Sequence, residues 1–197
     1  MPLKRTKSEL KNQRESLKRF QRYLPTLQLK KQQLQSEVRR VEIEREELGV
    51  EQDRNRRDRQ SWIGLFAEDR PLADWLEVKK LSIGEQHIAG VDVPVLLGLE
   101  IEEQVPDRAS EPVWIDEGLR EIKREVELEI RLQLLVAQEN LLKQELRTTS
   151  QRVNLFEKIK IPECKDNIRI IRIALGDEQV AAVARGKLAK KKNEVAA

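Results

Sequence analysis

Apolar residues recur at intervals of seven along the first fifty residues, and this repeat constrains the fold more than any other feature. One row comprises Leu3, Leu10, Leu17, Leu24 and Val38, with Lys31 interrupting it. A second row, three residues further on, comprises Phe20, Leu27, Leu34, Val41 and Leu48. Two such rows form the narrow seam of a coiled coil, which requires a partner helix. Most of the other residues are Lys, Arg, Glu or Gln, so this helix cannot persist alone in water.

The partner helix is predicted from the second half of the same chain. Asp116 is a suitable N-cap, and apolar residues follow it at spacings of mostly three and four. They are Ile122, Val126, Leu128, Leu132, Leu135, Leu142, Leu146, Val153 and Phe156. A chain that supplies both helices forms an antiparallel coiled coil. The predicted seam consists of Leu10, Leu17, Phe20, Leu24, Leu27, Leu34, Val38, Val41, Leu132, Leu135, Leu142, Leu146, Val153 and Phe156.

The segment between the two helices has a different pattern. It begins with an aromatic cluster at 61–66 and a candidate short helix at 71–76. Two strands, at 79–88 and 92–103, are predicted to join at Ala89-Gly90, because alternating apolar and polar residues flank a glycine turn. The predicted fold is therefore all-α: a long antiparallel two-helix coiled coil with a small middle head that contains a short β-hairpin. Its parts are an N-terminal helix at 1–60, the head at 61–115, and a C-terminal helix with a basic tail at 116–197.

Three residues and the basic tail bear on the continuity of the long helices. The first helix should continue through Pro25, because the seam keeps its register on both sides of it, although proline favours a kink there. Pro162 is expected to kink the second helix, and Gly176 is expected to bend or end it. The basic tail, 185–192, is expected to fray.

The charge is distributed unevenly along the chain. The net charge is +3, yet residues 1–60 carry +7, residues 61–130 carry −10 and residues 131–197 carry +6. Both ends are therefore basic, and they come together if the chain folds back on itself, so different partners can recognise the two ends. No apolar run is long enough to span a membrane, and no signal peptide is apparent. The single cysteine, Cys164, fits a reducing cytoplasm and is expected to be inert.

Catalysis has no support in the sequence. The chain lacks a phosphate-binding G-x-x-x-x-G-K-[ST] loop and the common metal and nucleophile motifs. No second His, Cys or carboxylate cluster lies at metal-ligand spacing from His87, so we expect His87 to lie on the surface of a strand. The tryptophans Trp62, Trp75 and Trp114 are expected to pack the head instead of stacking on bases. Nucleic-acid binding is suggested by the isoelectric point of about 9.0, but acidic residues interrupt any continuous basic face. The seven-residue repeats alone also allow a second function, that of a generic coiled-coil scaffold or tether.

Three stretches of the chain carry a resemblance to a known family. They are Gln151–Glu157 with Ile161-Pro162 and Asn167–Ile171, then Gln86–Pro94, then Leu24–Lys31. Together they resemble the signature of the D subunit of the V-type and A-type rotary ATPases. The residues that match its motifs are Arg152, Val153, Asn154, Glu157, Ile161, Pro162, Gly90, Val91 and Pro94. Gln151 departs from the pattern, since the family usually has arginine there.

The resemblance implies a mechanical role. The D subunit is the non-catalytic rotor axle, the central stalk that couples ATP synthesis or hydrolysis in a catalytic hexamer to proton or sodium translocation through a membrane ring. Its implied partners are the hexamer of A and B subunits, the small F subunit and the funnel subunit that caps the ring. No cofactor, metal, small-molecule substrate, nucleic acid or direct membrane insertion is implied. The implied location is cytoplasmic, peripheral to the inner membrane. The coupling ion and the net direction are left open.

Overall fold

The chain is predominantly helical and contains a β-hairpin, as the sequence predicts. A computed structural model describes residues 3–60, 64, 75–104 and 111–196, with the backbone alone for 192–196. The elements in chain order are α1 (Lys7–Arg59), β1 (Leu76–Ile88), β2 (Val91–Glu103), α2 (Trp114–Asn154), a π-helical turn (Leu155–Lys160) and α3 (Ile161–Ala196). The predicted aromatic cluster at 61–66, including Trp62, and the candidate short helix at 71–76 lie largely outside the described residues.

Contacts divide the chain into two compact units. The first comprises Met1–Lys31 with Thr148–Ala197, and the second comprises Gln32–Arg147. We call them the terminal unit and the head unit.

The terminal unit pairs the first half of α1 with the helical segments that follow Thr148. The rings of Phe20 and Phe156 lie 5.0 Å apart between centroids, and the Nδ2 of Asn167 donates to the Oε1 of Gln13 at 3.5 Å. Residues later in α1 contact residues earlier in the C-terminal segments, so the two helices are antiparallel. The buried residues contributed by the C-terminal segments are Thr149, Val153, Cys164, Ile168 and Ile171.

The head unit has its own core between α1, the hairpin and α2. The core contains Leu34, Val38 and Val41 from α1, Ile88 and Val93 from the hairpin, and Leu135 and Leu142 from α2. Here too the helices are antiparallel, because Glu42 pairs with Lys143 and Glu51 with Arg124. A second cluster, formed by Trp75, Ile115 and Leu119, packs with Trp114 and the first residue of β1. The hairpin is therefore supported on a helical surface, as a two-stranded sheet requires.

The hairpin turn uses two residues with positive φ. Ala89 has a φ of 49° and Gly90 has a φ of 81°, which is the geometry of a two-residue turn whose twist matches that of the strands. β1 begins three residues before the predicted strand and β2 one residue before. The register shifts between Val78 and Lys80 and again between Ser82 and Ile83. The second shift leaves Leu97 without an opposite residue, with 71% of its surface exposed.

The helices are more continuous than the sequence predicts. α1 runs through Pro25 without a break, as predicted from the register that the seam keeps on both sides of this proline. The helix does not end at Gly176, which was one of the two outcomes expected there, since α3 continues to Ala196. One glycine inside a helix costs only about 1 kcal/mol. The expectation that the basic tail frays is wrong, since its described backbone is helical.

A π-helical turn lies immediately before Pro162, where the sequence predicts a kink. The N–H of Ile161 donates to the carbonyl of Phe156, five residues back, and this closes the π-helical turn. Pro162 supplies no N–H to continue the regular ladder, and proline is tolerated in the first turn of the helix that follows.

Candidate interaction surfaces

The predicted seam residues all lie at least partly out of solvent. Six are buried: Leu34, Val38, Val41, Leu135, Leu142 and Val153. The others are half-buried: Leu10, Leu17, Phe20, Leu24, Leu27, Leu132, Leu146 and Phe156.

Ion pairs join the two helices of the head unit beside its apolar core. The Nζ of Lys143 lies 2.7 Å from Glu42 across the helix pair and 2.5 Å from Glu139 on its own helix. Arg45 in turn reaches Glu139 at 3.2 Å. The hydrogen bond from Lys143 lowers the pKa of Glu42, and the bonds to Glu139 and Glu42 raise the pKa of Lys143. These pairs favour a single register between α1 and α2.

A second polar network surrounds Glu125 at the far end of α1. Arg59 reaches its carboxylate at 2.5 Å and Arg56 at 3.5 Å, while the Nε2 of Gln52 donates to it at 2.9 Å. Burial by itself would raise the pKa of Glu125, but the hydrogen bond and charge of Arg59, with help from Gln52, lower it below its ordinary value. The Nε2 of Gln52 also lies 3.3 Å from Glu129. A partly buried carboxylate is thus kept ionised by cations from the opposite helix.

Sequence reasoning missed these polar seam positions. Gln138 is buried, and its Nε2 donates to the carbonyl of Pro94 at 2.7 Å, which ties α2 to the hairpin. Gln138 lies three residues after Leu135 and four before Leu142, so its spacing marked a seam position. Gln52 follows Leu48 by four residues in the same way. The apolar stripe therefore predicts burial at both glutamines if spacing is followed regardless of residue type.

The motif residues divide between core and surface. Val153 is buried and Ile161 half-buried, while Arg152, Asn154, Glu157 and Pro162 are exposed around the π-helical turn. In the hairpin, Gly90 is exposed at the turn, Val91 packs against the head core, and Pro94 accepts the bond from Gln138. The exposed members are available to partners. π-helical turns of this kind are frequent at functional sites.

Exposed apolar side chains mark further surfaces within each unit. On the hairpin they are Val78, Leu81, Ile83 and Leu97. In the terminal unit, every described residue of α3 from Gly176 to Lys191 is exposed, including Val180, Val183 and Leu188. A helix segment exposed on every side gains no stability from burial within its own chain.

The terminal unit also contains a basic groove. Arg14, Lys18, Lys165 and Arg172 border it, with Leu17 and Ile168 among its lining residues. None of the four cations has a carboxylate within 4 Å among the described residues. Such a groove fits an acidic partner surface, because the described residues do not neutralise its positive charge.

Comparison with known proteins identifies the family. The model of the family described as the D subunit of ATP synthase matches residues 9–191. The chain belongs to this ATP synthase family. The D subunit of the V-type ATP synthase of Borreliella burgdorferi is 45% identical over 188 residues, which cover 95% of this chain and 93% of that protein. A protein of the same description from Chlamydia trachomatis serovar L2 is 35% identical, and the match covers 96% of this chain and 95% of that protein. Another from Chlamydia caviae is 32% identical, and the match covers 96% of this chain and 93% of that protein.

The family assignment agrees with the resemblance that the sequence motifs carry. Across the described ranges, the helices contain no stretch that is both apolar and long enough to cross a membrane. The described residues also bring together no cluster of His, Cys, Asp or Glu that could hold a metal ion. His87 is exposed, as expected of a strand-surface residue, and its Nδ1 lies 2.7 Å from the Oδ1 of Asp92 across the hairpin.

Proposed function

We propose that this chain is the non-catalytic central stalk of a V-type or A-type ATP synthase. It couples ATP synthesis or hydrolysis in the catalytic hexamer to proton or sodium translocation through the membrane ring, by rotation. One observation carries the proposal: a member of this family pairs α1 with its own C-terminal helical segments, antiparallel, in each of its two units. A torque-bearing shaft must not separate, and helices that belong to one chain stay together at any concentration.

The polar contacts of the head unit suit the transmission of torque. An apolar seam resists separation of the helices, but apolar contacts are not directional and resist sliding weakly. The cross-helix pairs Lys143–Glu42 and Arg45–Glu139, together with the Glu125 network, oppose sliding because a shift by one turn would unpair charges that are partly buried.

The terminal unit is the part we assign to the catalytic hexamer of A and B subunits. Its basic groove would face acidic groups in the bore, and the exposed segment of α3 from Gly176 to Lys191 would gain the apolar contacts that its own chain does not offer. Because exposed charges are screened by salt, we expect assembly with the hexamer to weaken as ionic strength rises. An affinity that stays constant in a salt titration would contradict this assignment.

We assign the head unit to the small F subunit and to the funnel subunit that caps the membrane ring. The exposed apolar side chains of the hairpin, Val78, Leu81, Ile83 and Leu97, support this, since apolar residues at an interface core are buried when a partner binds. The exposed motif residues Arg152, Asn154 and Glu157 are proposed as partner contacts in the terminal unit. The complex would sit in the cytoplasm, peripheral to the inner membrane.

Rotation can be tested directly in the assembled complex. The chain is co-expressed with the A, B and F subunits, and a bead is attached to a cysteine introduced by Glu85→Cys near the exposed hairpin turn. Buried Cys164 should not compete for the label. We expect ATP-dependent rotation of the bead. If the chain joins an ATP-hydrolysing hexamer but the bead does not turn, it acts as a scaffold. If it does not join the hexamer at all, the proposed function is wrong.

A further inference from the structure

A cleft in the head unit combines an apolar floor with an acidic rim. It has a volume of about 450 Å³ and lies between α1, β2 and α2. Its apolar lining comprises Leu48, Val95, Leu96, Leu134 and Leu135. Its acidic lining comprises Glu44, Glu47 and Glu51, which follow one another at spacings of three and four along one face of α1.

The described residues neutralise the charges of the rim only in part. Glu51 pairs with Arg124 at 2.9 Å, and Arg131, on the α2 side of the cleft, is paired with Glu127 at 2.5 Å. Glu44 and Glu47 have no cation within 4 Å among the described residues. Two like charges three residues apart on a helix repel one another. The cleft therefore retains negative charge beside an apolar surface.

The floor of the cleft is accessible but already organised. Val95, Leu96 and Leu134 are half-buried, while Leu135 belongs to the buried core of the unit. The Nε2 of buried Gln138 holds the carbonyl of Pro94 at 2.7 Å, which fixes β2 against α2 where the floor is formed. A ligand that enters need not order these elements first, and preorganisation of this kind favours binding.

We propose that this cleft binds a segment of a partner protein that carries lysine or arginine flanked by aliphatic side chains. The cation would lie between Glu44 and Glu47, and the aliphatic groups would cover the floor. An isolated cation would gain little from exposed carboxylates, whereas a segment also buries apolar area on both sides of the contact. The occupant is thus recognised by charge and apolar surface together.

The test uses the full chain and a fluorescein-labelled peptide in which lysine and leucine alternate with serine spacers. Binding is measured by fluorescence anisotropy. We expect Glu44→Lys combined with Glu47→Lys to weaken binding about tenfold, the loss expected when two exposed ion pairs are removed. The matched control, Glu46→Lys combined with Asp53→Lys, reverses two exposed charges on α1 outside the cleft and should change the affinity less than about twofold. Circular dichroism checks that both variants remain helical.

Two further peptides test the unaltered chain, so the proposal does not depend on the variants folding. Replacing leucine by serine in the peptide should weaken binding, and replacing lysine by glutamate should abolish it. Equal losses in the two variants would show general attraction to acidic protein and overturn the proposal, as would tight binding of the leucine-free peptide. Sedimentation that showed self-association lost only in the Glu44→Lys, Glu47→Lys variant, with peptide binding unchanged, would assign the cleft to a second copy instead.

Discussion

Replacing Leu142 by alanine tests whether α2 buries the face that it buries in the structure of the head unit. Leu142 is 0% exposed and packs in the core with Leu34, Val38 and Val41. The substitution removes the buried methyl groups and leaves a cavity that the surrounding helices fill only in part. Leucine-to-alanine changes at such sites cost about 3–5 kcal/mol. We expect the lower part of this range, about 3 kcal/mol, because a narrow two-helix core has room to collapse.

Leu141 provides the matched control. It is the adjacent residue on the same helix and has the same chemistry, but 39% of its surface is exposed. Replacing it by alanine should cost less than about 1 kcal/mol, because little buried surface is lost. Unfolding in urea is followed by circular dichroism. With a slope of about 2 kcal/mol per molar urea, the midpoint should fall by about 1.5 M for Leu142→Ala and by less than about 0.5 M for Leu141→Ala.

The comparison between neighbours makes the result decisive. If Leu141→Ala is as damaging as Leu142→Ala, the buried face of α2 is rotated from the one in the structure. If neither change lowers the midpoint, the core of the head unit contributes no measurable stability, and the reasoning from burial is refuted.

Four other predictions concern the Glu125 carboxylate, two glycines and the cysteine. Glu125→Gln should destabilise the protein by about 2 kcal/mol near neutral pH. The pKa of Glu125 is lower in the folded chain than in the unfolded chain. Its contribution to stability is therefore complete above the unfolded-state pKa and is lost as the pH falls through the folded-state pKa. The gap between the urea midpoints of the wild type and this variant should therefore narrow in acid, and a constant gap would contradict the linkage. Gly90→Ala should lower the free energy of unfolding by about 1 kcal/mol, because φ is positive at this residue. Gly176→Ala should slow local amide hydrogen exchange in α3, because alanine favours the helix and its methyl group meets open space. Cys164 should resist thiol reagents until the chain is unfolded in urea, because burial raises the pKa of its thiol; rapid labelling of the native chain would contradict its burial.

The sequence predicts the helical pairing because the signal for it is local and repetitive. Each apolar residue of the rows near Leu34 and Leu142 has its face set by spacing along a helix, so no knowledge of the partner is needed. The turn at Ala89-Gly90 is similarly local, since it depends on which residues tolerate positive φ. The family motifs add the functional prediction, because the combination around Val153 and Pro162 has no counterpart in a generic tether.

The polar contacts and the surfaces depend on the folded arrangement. No spacing rule reveals that Gln138 donates to Pro94 or that Arg59 lies beside Glu125, because the partners are separated by 44 and 66 residues. Leu97 is exposed at a register shift between the two strands, and the position of such a shift is not set by alternation along one strand. The acidic-rimmed cleft exists only where α1, β2 and α2 meet. Periodicity is a property of a single helix, so the residue spacing predicts which face of each helix carries the apolar seam. Which polar groups meet depends on distances between elements far apart in the chain, and those distances are known only once the chain is folded.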